Sequence, residues 1–179
     1  MYSSTLNGIK NRKVPNDVFY TPAGLVKQLI QQTPFHDADL VLDPFRGEGV
    51  FFNNFTNDHK DWCEIEEGRD FFQYSESVDW ILSNPPFSMI TETIRHSVKI
   101  AKKGFAYIMP TYSVTHNRIN MAASFGFKLD KIVFFKTPKN WNLGFQMCYA
   151  IWTKDEAKIE IIKPIVTLDL TKGIQKTLI

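Results

Sequence analysis

Apolar and polar residues change rhythm several times along the chain, and the rhythm separates strands from helices. The segments at 39–45 (D-L-V-L-D-P-F), 78–83 (V-D-W-I-L-S) and 104–110 (G-F-A-Y-I-M-P) are short, strongly apolar and closed by Pro, Asp or Ser. They are too short for buried helices and read as buried strands. Between the last two, Ile90, Ile94, Val98 and Ala101 recur at helical spacing and predict a helix over 89–103. The run from Thr21, T-P-A-G-L-V-K-Q-L-I, predicts another helix, with the threonine as N-cap and a proline at the first helical position. After the first strand, G-E-G-V-F-F-N-N-F reads as a glycine turn opening a helix. Residues 61–65 read as a second short strand, 68–72 as a loop and strand edge, and 112–124 as a weaker helix. The segments 128–136 and 145–154 form a strand pair joined by T-P-K-N-W-N-L-G. Strands alternating with helices predict an α/β domain whose sheet is mostly parallel and ends in an antiparallel hairpin.

A length of 179 residues suits one domain with a real core. Three parts are expected: a polar, basic arm over 1–16, a core over 17–154, and an extension over 155–179. Within the extension, 158–170 alternates in part and is interrupted by Pro164, which suits an edge strand or a partner-binding segment. A net charge of +2 is compatible with nucleic acid without requiring it. Aromatic residues make up 14%, enough to fill a core and still offer flat faces for stacking on bases. Cys63 and Cys148 are isolated, so neither a disulfide framework nor a zinc site is expected. His36, His59, His96 and His116 have no ligand spacing, and no metal is expected. With no apolar run of membrane length and no apolar signal core at the start, the expectation is a cytoplasmic protein without membrane contact.

D-P-F-R-G-E-G (43–49) lies at a strand-to-helix junction, where open α/β sheets bind ligands. Gly47 and Gly49 allow close backbone approach, Phe45 sits within the same loop, and Asp43 supplies an anionic acceptor that favours a cationic or zwitterionic ligand. Glu64 falls at the end of the next strand, where a carboxylate can hold ribose hydroxyls, with Glu66 as the competing residue. Asp70, followed by Phe71 and Phe72, offers an acceptor and ring faces suited to an adenine. Each carboxylate taken singly reads equally as a solvated surface group, and only their order along the chain raises the joint reading.

The stretch S-N-P-P-F (83–87) leaves a buried strand through two prolines, each with a fixed φ and no N–H. That rigidity suits a substrate whose exocyclic amino group sits on a planar ring, because the nitrogen lone pair is delocalised until two acceptors draw its hydrogens. The Asn84 side-chain oxygen and the Pro85 carbonyl are candidates for those acceptors, with Pro86 stiffening the turn and Phe87 stacking on the ring. No general base, metal or covalent intermediate is then needed. The loop at 137–142, which also holds Asn140, is the remaining candidate for substrate contact: Lys136 and Lys139 could meet phosphates, and Trp141 could stack on a base or hold the flipped nucleotide's pocket. A tryptophan packed on the core explains that loop equally well.

N-P-P-F after a strand, D-P-x-x-G-x-G upstream, the acidic positions between them and F-Y-T-P (19–22) ahead of both resemble S-adenosylmethionine-dependent adenine-N6 DNA methyltransferases of the gamma motif order. Modification subunits of type I restriction systems and small phage-type enzymes are of this kind. The resemblance covers about residues 17–153 and implies a Rossmann-like, seven-stranded class I fold. It implies methyl transfer from S-adenosyl-L-methionine to adenine N6, with the base flipped into the N-P-P-F pocket. By the same match Tyr20 and Thr21 line the cofactor's methionine end, Asp43 its amino group, Glu64 its ribose and Asp70 its adenine. Phe45 and Arg46 stand where the family commonly has small residues. The interval from Asp43 to Asn84 is too short for full helices between all strands, so at least one, after Glu64, is expected to be shortened or missing. No separate target-recognition domain is expected in this chain, which implies a partner subunit, a homodimer or low selectivity. Adenine in RNA, cytosine N4 and guanine N2 present similar amino groups, a protein glutamine amide is a further candidate, and a catalytically silent nucleic-acid-binding subunit is the alternative from another class.

Overall fold

The computed structural model describes residues 21–138, 141 and 143–154. The expected arm at 1–16, the tail at 158–170, and Tyr20, Lys139 and Asn140 lie outside the described residues. Six strands form one sheet in the order β2-β1-β3-β4-β6-β5, with β1 at Val41–Asp43, β2 at Lys60–Trp62, β3 at Val78–Ser83, β4 at Ala101–Pro110, β5 at Phe127–Phe134 and β6 at Met147–Lys154. The first four pair in parallel, while β6 runs antiparallel to both β4 and β5. The α/β expectation with a closing antiparallel pair therefore holds.

Buried strands must satisfy both faces, and alternate residues here do so. Leu42, Ile81, Phe105, Tyr107, Cys148, Ala150 and Trp152 belong to one core layer, and Val41, Trp80, Leu82, Ala106, Ile108, Tyr149 and Ile151 to the other. The first layer is covered by helix α2 (Ile90–Ile100), which contributes Ile90, Ile94 and Val98, and by Ala122 of helix α3 (His116–Ala123). Helix α1 (Ala23–Ile30) covers the second with Val26, Leu29 and Ile30.

Several boundaries differ from the sequence reading for identifiable reasons. Thr21 does not cap α1. Pro22 occupies the cap position, and the Thr21 hydroxyl is used elsewhere. α2 stops at Ile100 and the chain passes directly into β4, where exposed Lys103 bonds to the buried carboxylate of Asp39 and lies 3.9 Å from Asp79. The segment after the glycine loop makes only one turn of 3-10 helix, Phe52–Asn54, and no α-helix. The Asn54 side chain bonds back to the Val50 carbonyl at 2.7 Å, a local competition that asparagine offers to helix propagation, while Phe51 and Phe55 are drawn into the core.

The expected seventh strand is absent among the described residues. Between β2 and β3 the chain makes two 3-10 turns, Ile65–Glu67 and Phe71–Gln73, where a further strand and helix would need a longer crossover. The shortened connection after Glu64 is thus present as expected.

Gly104 permits the tightest contact in the sheet. A Cβ there would sit 2.3 Å from the Trp80 ring and 2.5 Å from the Trp152 carbonyl oxygen, and the backbone oxygen cannot move aside. Gly104→Ala is expected to lower unfolding stability by about 3 kcal/mol, near the upper end of ordinary overpacking. Chemical denaturation reads this as a lower midpoint at unchanged slope, and an unchanged midpoint would contradict the close packing described.

Candidate active site

The carboxyl ends of β1, β2, β3 and β4 share one edge of the sheet, and the sequence motifs converge there. Asp43 is the last residue of β1 and only 1% exposed. Its Oδ1 accepts from the Ser83 hydroxyl at 2.7 Å and from the Phe45 N–H at 3.4 Å, and its Oδ2 accepts from the Phe52 N–H at 3.1 Å. One carboxyl therefore ties β1, the glycine loop and the end of β3 together. Burial pushes its pKa up to about 7; the three donors pull the other way, and the nearby Glu64 charge adds a smaller rise. Among the described residues, the donors that meet Asp43 are the protein's own, and they leave Oδ2 with one accepted hydrogen bond.

The glycine loop is held from the β2 side. Gly47 has φ 50° with open space where a Cβ would stand, and its N–H donates to Glu64 Oε2 at 2.8 Å. Gly49 has φ 82°, and its N–H closes the turn onto the Arg46 carbonyl at 2.7 Å. Of the two rival carboxylates, Glu64 touches the loop, while Glu66 is exposed and offers Glu64 its backbone N–H at 3.4 Å. Asp70 is half-buried and accepts from the Phe72 N–H at 3.0 Å, starting the turn that carries the two phenylalanines.

Phe71 lies inside the core at 1% exposure, against the edge of His96 from α2 at 4.7 Å between centroids. It cannot offer a face to a ligand, which corrects that expectation; the half-buried rings beside it are Phe45, at 5.4 Å, and Phe72. His96 donates from Nε2 to the Tyr74 carbonyl at 2.9 Å, and burial lowers its pKa, so it packs here as a neutral ring.

The bulk of Arg46 does not fill the loop. Its guanidinium lies 4.0 Å from the Trp62 ring centroid and pairs with Glu67, while Arg69 approaches the same ring at 4.3 Å and bonds to Asp61 at 2.6 Å. The sequence reading missed this Arg-Trp-Arg stack. A tryptophan at the end of a short strand, flanked by arginines in both neighbouring loops, was its only signal.

Asn84 follows β3 directly. Its Nδ2 donates to the Thr21 Oγ1 at 3.2 Å, so its carbonyl end, shielded from solvent, is the acceptor end. Pro85 is buried, Pro86 accepts from the Met89 N–H at 3.0 Å, and the turn Phe87–Met89 leads into α2. Phe87 is half-buried and meets the edge of Phe145 at 6.5 Å. Thr21 and Asn84, assigned to cofactor and substrate by the motifs, are thereby brought together. Lys136 is exposed. Trp141 is 4% exposed and packs edge-on to Phe135 within the second core layer, so it does not stack on a substrate base. Ser83, which no motif reading singled out, proves to be the residue that joins Asp43 to the strand before Asn84.

No protein-family model and no curated protein sequence matches this chain. Solved structures do match in shape. A candidate RNA methyltransferase from Pyrococcus horikoshii superposes with a TM-score of 0.64 at 16% identity, covering 79% of this chain and 89% of that one. A modification subunit of a candidate type I restriction enzyme from Vibrio vulnificus gives 0.54 at 14% identity, over 86% of this chain and 48% of that one. TYW2 of P. horikoshii, in complex with MeSAdo, gives 0.54 at 14% identity, over 76% and 64%. The fold is that of a class I methyltransferase. The chain spans about half the length of the Vibrio subunit it matches. In this methyltransferase fold the motif-bearing residues sit at the carboxyl edge of the parallel strands, where such sheets bind ligands. Among the described residues, no helix is long and apolar enough to cross a membrane, and no cluster of His, Cys, Asp and Glu could hold a metal ion.

An acid whose folded pKa lies above its unfolded value stabilises the fold while protonated, and this contribution is lost as pH rises. For Asp43 the window runs from the ordinary 3.8 to about 7. The stability difference between Asp43→Asn and the parent should therefore move in the variant's favour between pH 4 and 7. Thermal unfolding across that range measures it, and a difference constant with pH would show that Asp43 does not titrate there.

Proposed function

We propose that this protein transfers a methyl group from S-adenosyl-L-methionine to the exocyclic N6 amino group of adenine in DNA. The observation that carries the proposal is Asn84 at the end of β3, with its amide nitrogen held by Thr21 and followed by two prolines and a half-buried phenylalanine. The donor set at the glycine loop fits the adenosine half of the cofactor. Glu64 and Asp70 are partly exposed acceptors for hydroxyl and amino hydrogens, Phe45 and Phe72 are half-buried ring faces, and the space beside Gly47 is open. Asp43, at 1% exposure, shapes the loop from inside the protein and is assigned no contact with the amino-acid half. The cofactor supplies the electrophilic methyl group.

The chain's own residues act on the nucleophile. The Asn84 carbonyl oxygen and the Pro85 carbonyl accept the two hydrogens of the adenine amino group, drawing its lone pair out of conjugation. As the nitrogen gains positive charge, both acceptors bind it more strongly, which is where the rate gain lies. Pro85 and Pro86 hold the carbonyl against reorientation, since each fixes φ. Phe87 stacks on the ring, and Thr21 keeps the Asn84 amide from rotating to present its NH2 end. The surplus proton passes to solvent.

Tritiated methyl transfer to DNA, RNA and protein, run in parallel, tests this reading. DNA is the expected acceptor, and Asn84→Ala should cut transfer about 100-fold or more. Its cofactor affinity by calorimetry should stay near the parent's. Transfer by Asn84→Ala at the parent rate would contradict the acceptor role, and label entering RNA or protein alone would contradict the substrate.

A further inference from the structure

The loops at the carboxyl edge divide sharply by charge. Those beside the glycine loop and β2 carry Glu48, Glu64, Glu66, Glu67 and Asp70. The segments 84–91, 111–120 and 135–146, which leave β3 and β4 and enter β6, contain no aspartate or glutamate. They meet in space: Pro110 of β4 pairs with Met147 of β6, and the Thr111 N–H donates to the Gln146 carbonyl at 3.0 Å. A chain of rings starts in this acid-free half. Phe87 of the N-P-P-F turn meets Phe145 edge-on at 6.5 Å, and Phe145 meets Tyr112 edge-on at 5.3 Å. Tyr112 is 64% exposed, an unusual exposure for a ring tied to the core through two others.

A cation is anchored to the residue that follows it. Arg118 donates from Nη1 to the carbonyl of Ser113, the residue after Tyr112, at 2.7 Å, and from Nε to Thr91 Oγ1 at 3.0 Å. Among the described residues, no carboxylate lies within ion-pair distance of it. A guanidinium anchored to the residue after an exposed ring, with Glu92, the acid next to its partner Thr91, paired to Arg95, combines the two elements that recognise a single nucleic-acid strand: stacking on a base and attraction to its phosphate.

We propose that Tyr112 is a stacking platform for a base flanking the target nucleotide, with Arg118 meeting the strand's phosphate, so that the protein grips an unpaired segment of strand. This assignment rests on the reading of Phe87 as the target-base contact, because the ring chain runs outward from it. It also gives the small core a way to hold a strand on its own catalytic face.

Fluorescence anisotropy with a labelled, adenine-containing single-stranded oligodeoxynucleotide tests the platform without requiring turnover. Tyr112→Ala is expected to bind about tenfold more weakly, and Tyr112→Phe within about twofold of the parent, since stacking needs the ring and not the hydroxyl. Phe125→Ala serves as the control: it is an exposed ring leading into β5 at the opposite end of the sheet, and it should change nothing. Tyr112→Ala binding as the parent does, or Phe125→Ala losing as much, would overturn the proposal. Methyl transfer to the same oligonucleotide separates the two readings. Tyr112-dependent binding without transfer would sink the methyltransferase reading and leave the platform standing. Transfer by Tyr112→Ala with parent KM and kcat would sink the platform alone.

Discussion

The buried carboxyl of Asp43 is the constraint on which the rest of the edge depends. Its three partners come from the Phe45 and Phe52 N–H groups of the glycine loop and the Ser83 hydroxyl of β3. A buried acceptor that loses its donors costs more than the bond returned, so the loop and β3 are held to one another through this group. Ser83 immediately precedes Asn84, and the tie that shapes the glycine loop therefore also sets where the Asn-Pro-Pro-Phe turn begins. Its raised pKa is the consequence of placing a carboxyl where water cannot reach.

From that tie the edge develops in two directions with different chemistry. Toward β2 it is acidic and locked by side-chain pairs: Glu64 on the Gly47 N–H, Arg46 on Glu67, Arg69 on Asp61, and both guanidiniums against Trp62. Toward β6 the segments 84–91, 111–120 and 135–146 carry no Asp or Glu, and rings and an anchored arginine stand there. The acidic half suits hydroxyl and amino hydrogens, and the other half suits a polyanion. Asn84 lies at the junction, joined to Thr21 ahead of α1.

Much of this was legible in the sequence where a signal was local. The strand at 78–83 coincides with Val78–Ser83, and the helical spacing of Ile90, Ile94 and Val98 marks the buried face of α2. Other features depended on partners distant in the chain. Nothing near Phe71 says that its ring is core, since α2 decides its burial; for Trp141 core packing is one of two equal readings, and the second core layer decides for it. Nothing near Asp43 says that Ser83 will consume one of its oxygens. The helix expected after the glycine loop failed for a local reason that could have been weighed: Asn53, Asn54 and Asn57 lie in and just after it, a run that favours turns. Arg46, which stood as an obstacle in the loop, is accommodated because Trp62 and Glu67 receive its side chain.

The central claim is that the acceptors at Asn84 and Pro85 activate an adenine amino group for methylation. Mass spectrometry of the nucleosides released from DNA after incubation with the protein and S-adenosyl-L-methionine tests it most directly. The account predicts N6-methyldeoxyadenosine with the parent protein and its loss with Asn84→Ala. A methyl group found on a ring nitrogen or carbon, or N6-methyldeoxyadenosine formed equally by both proteins, would contradict it.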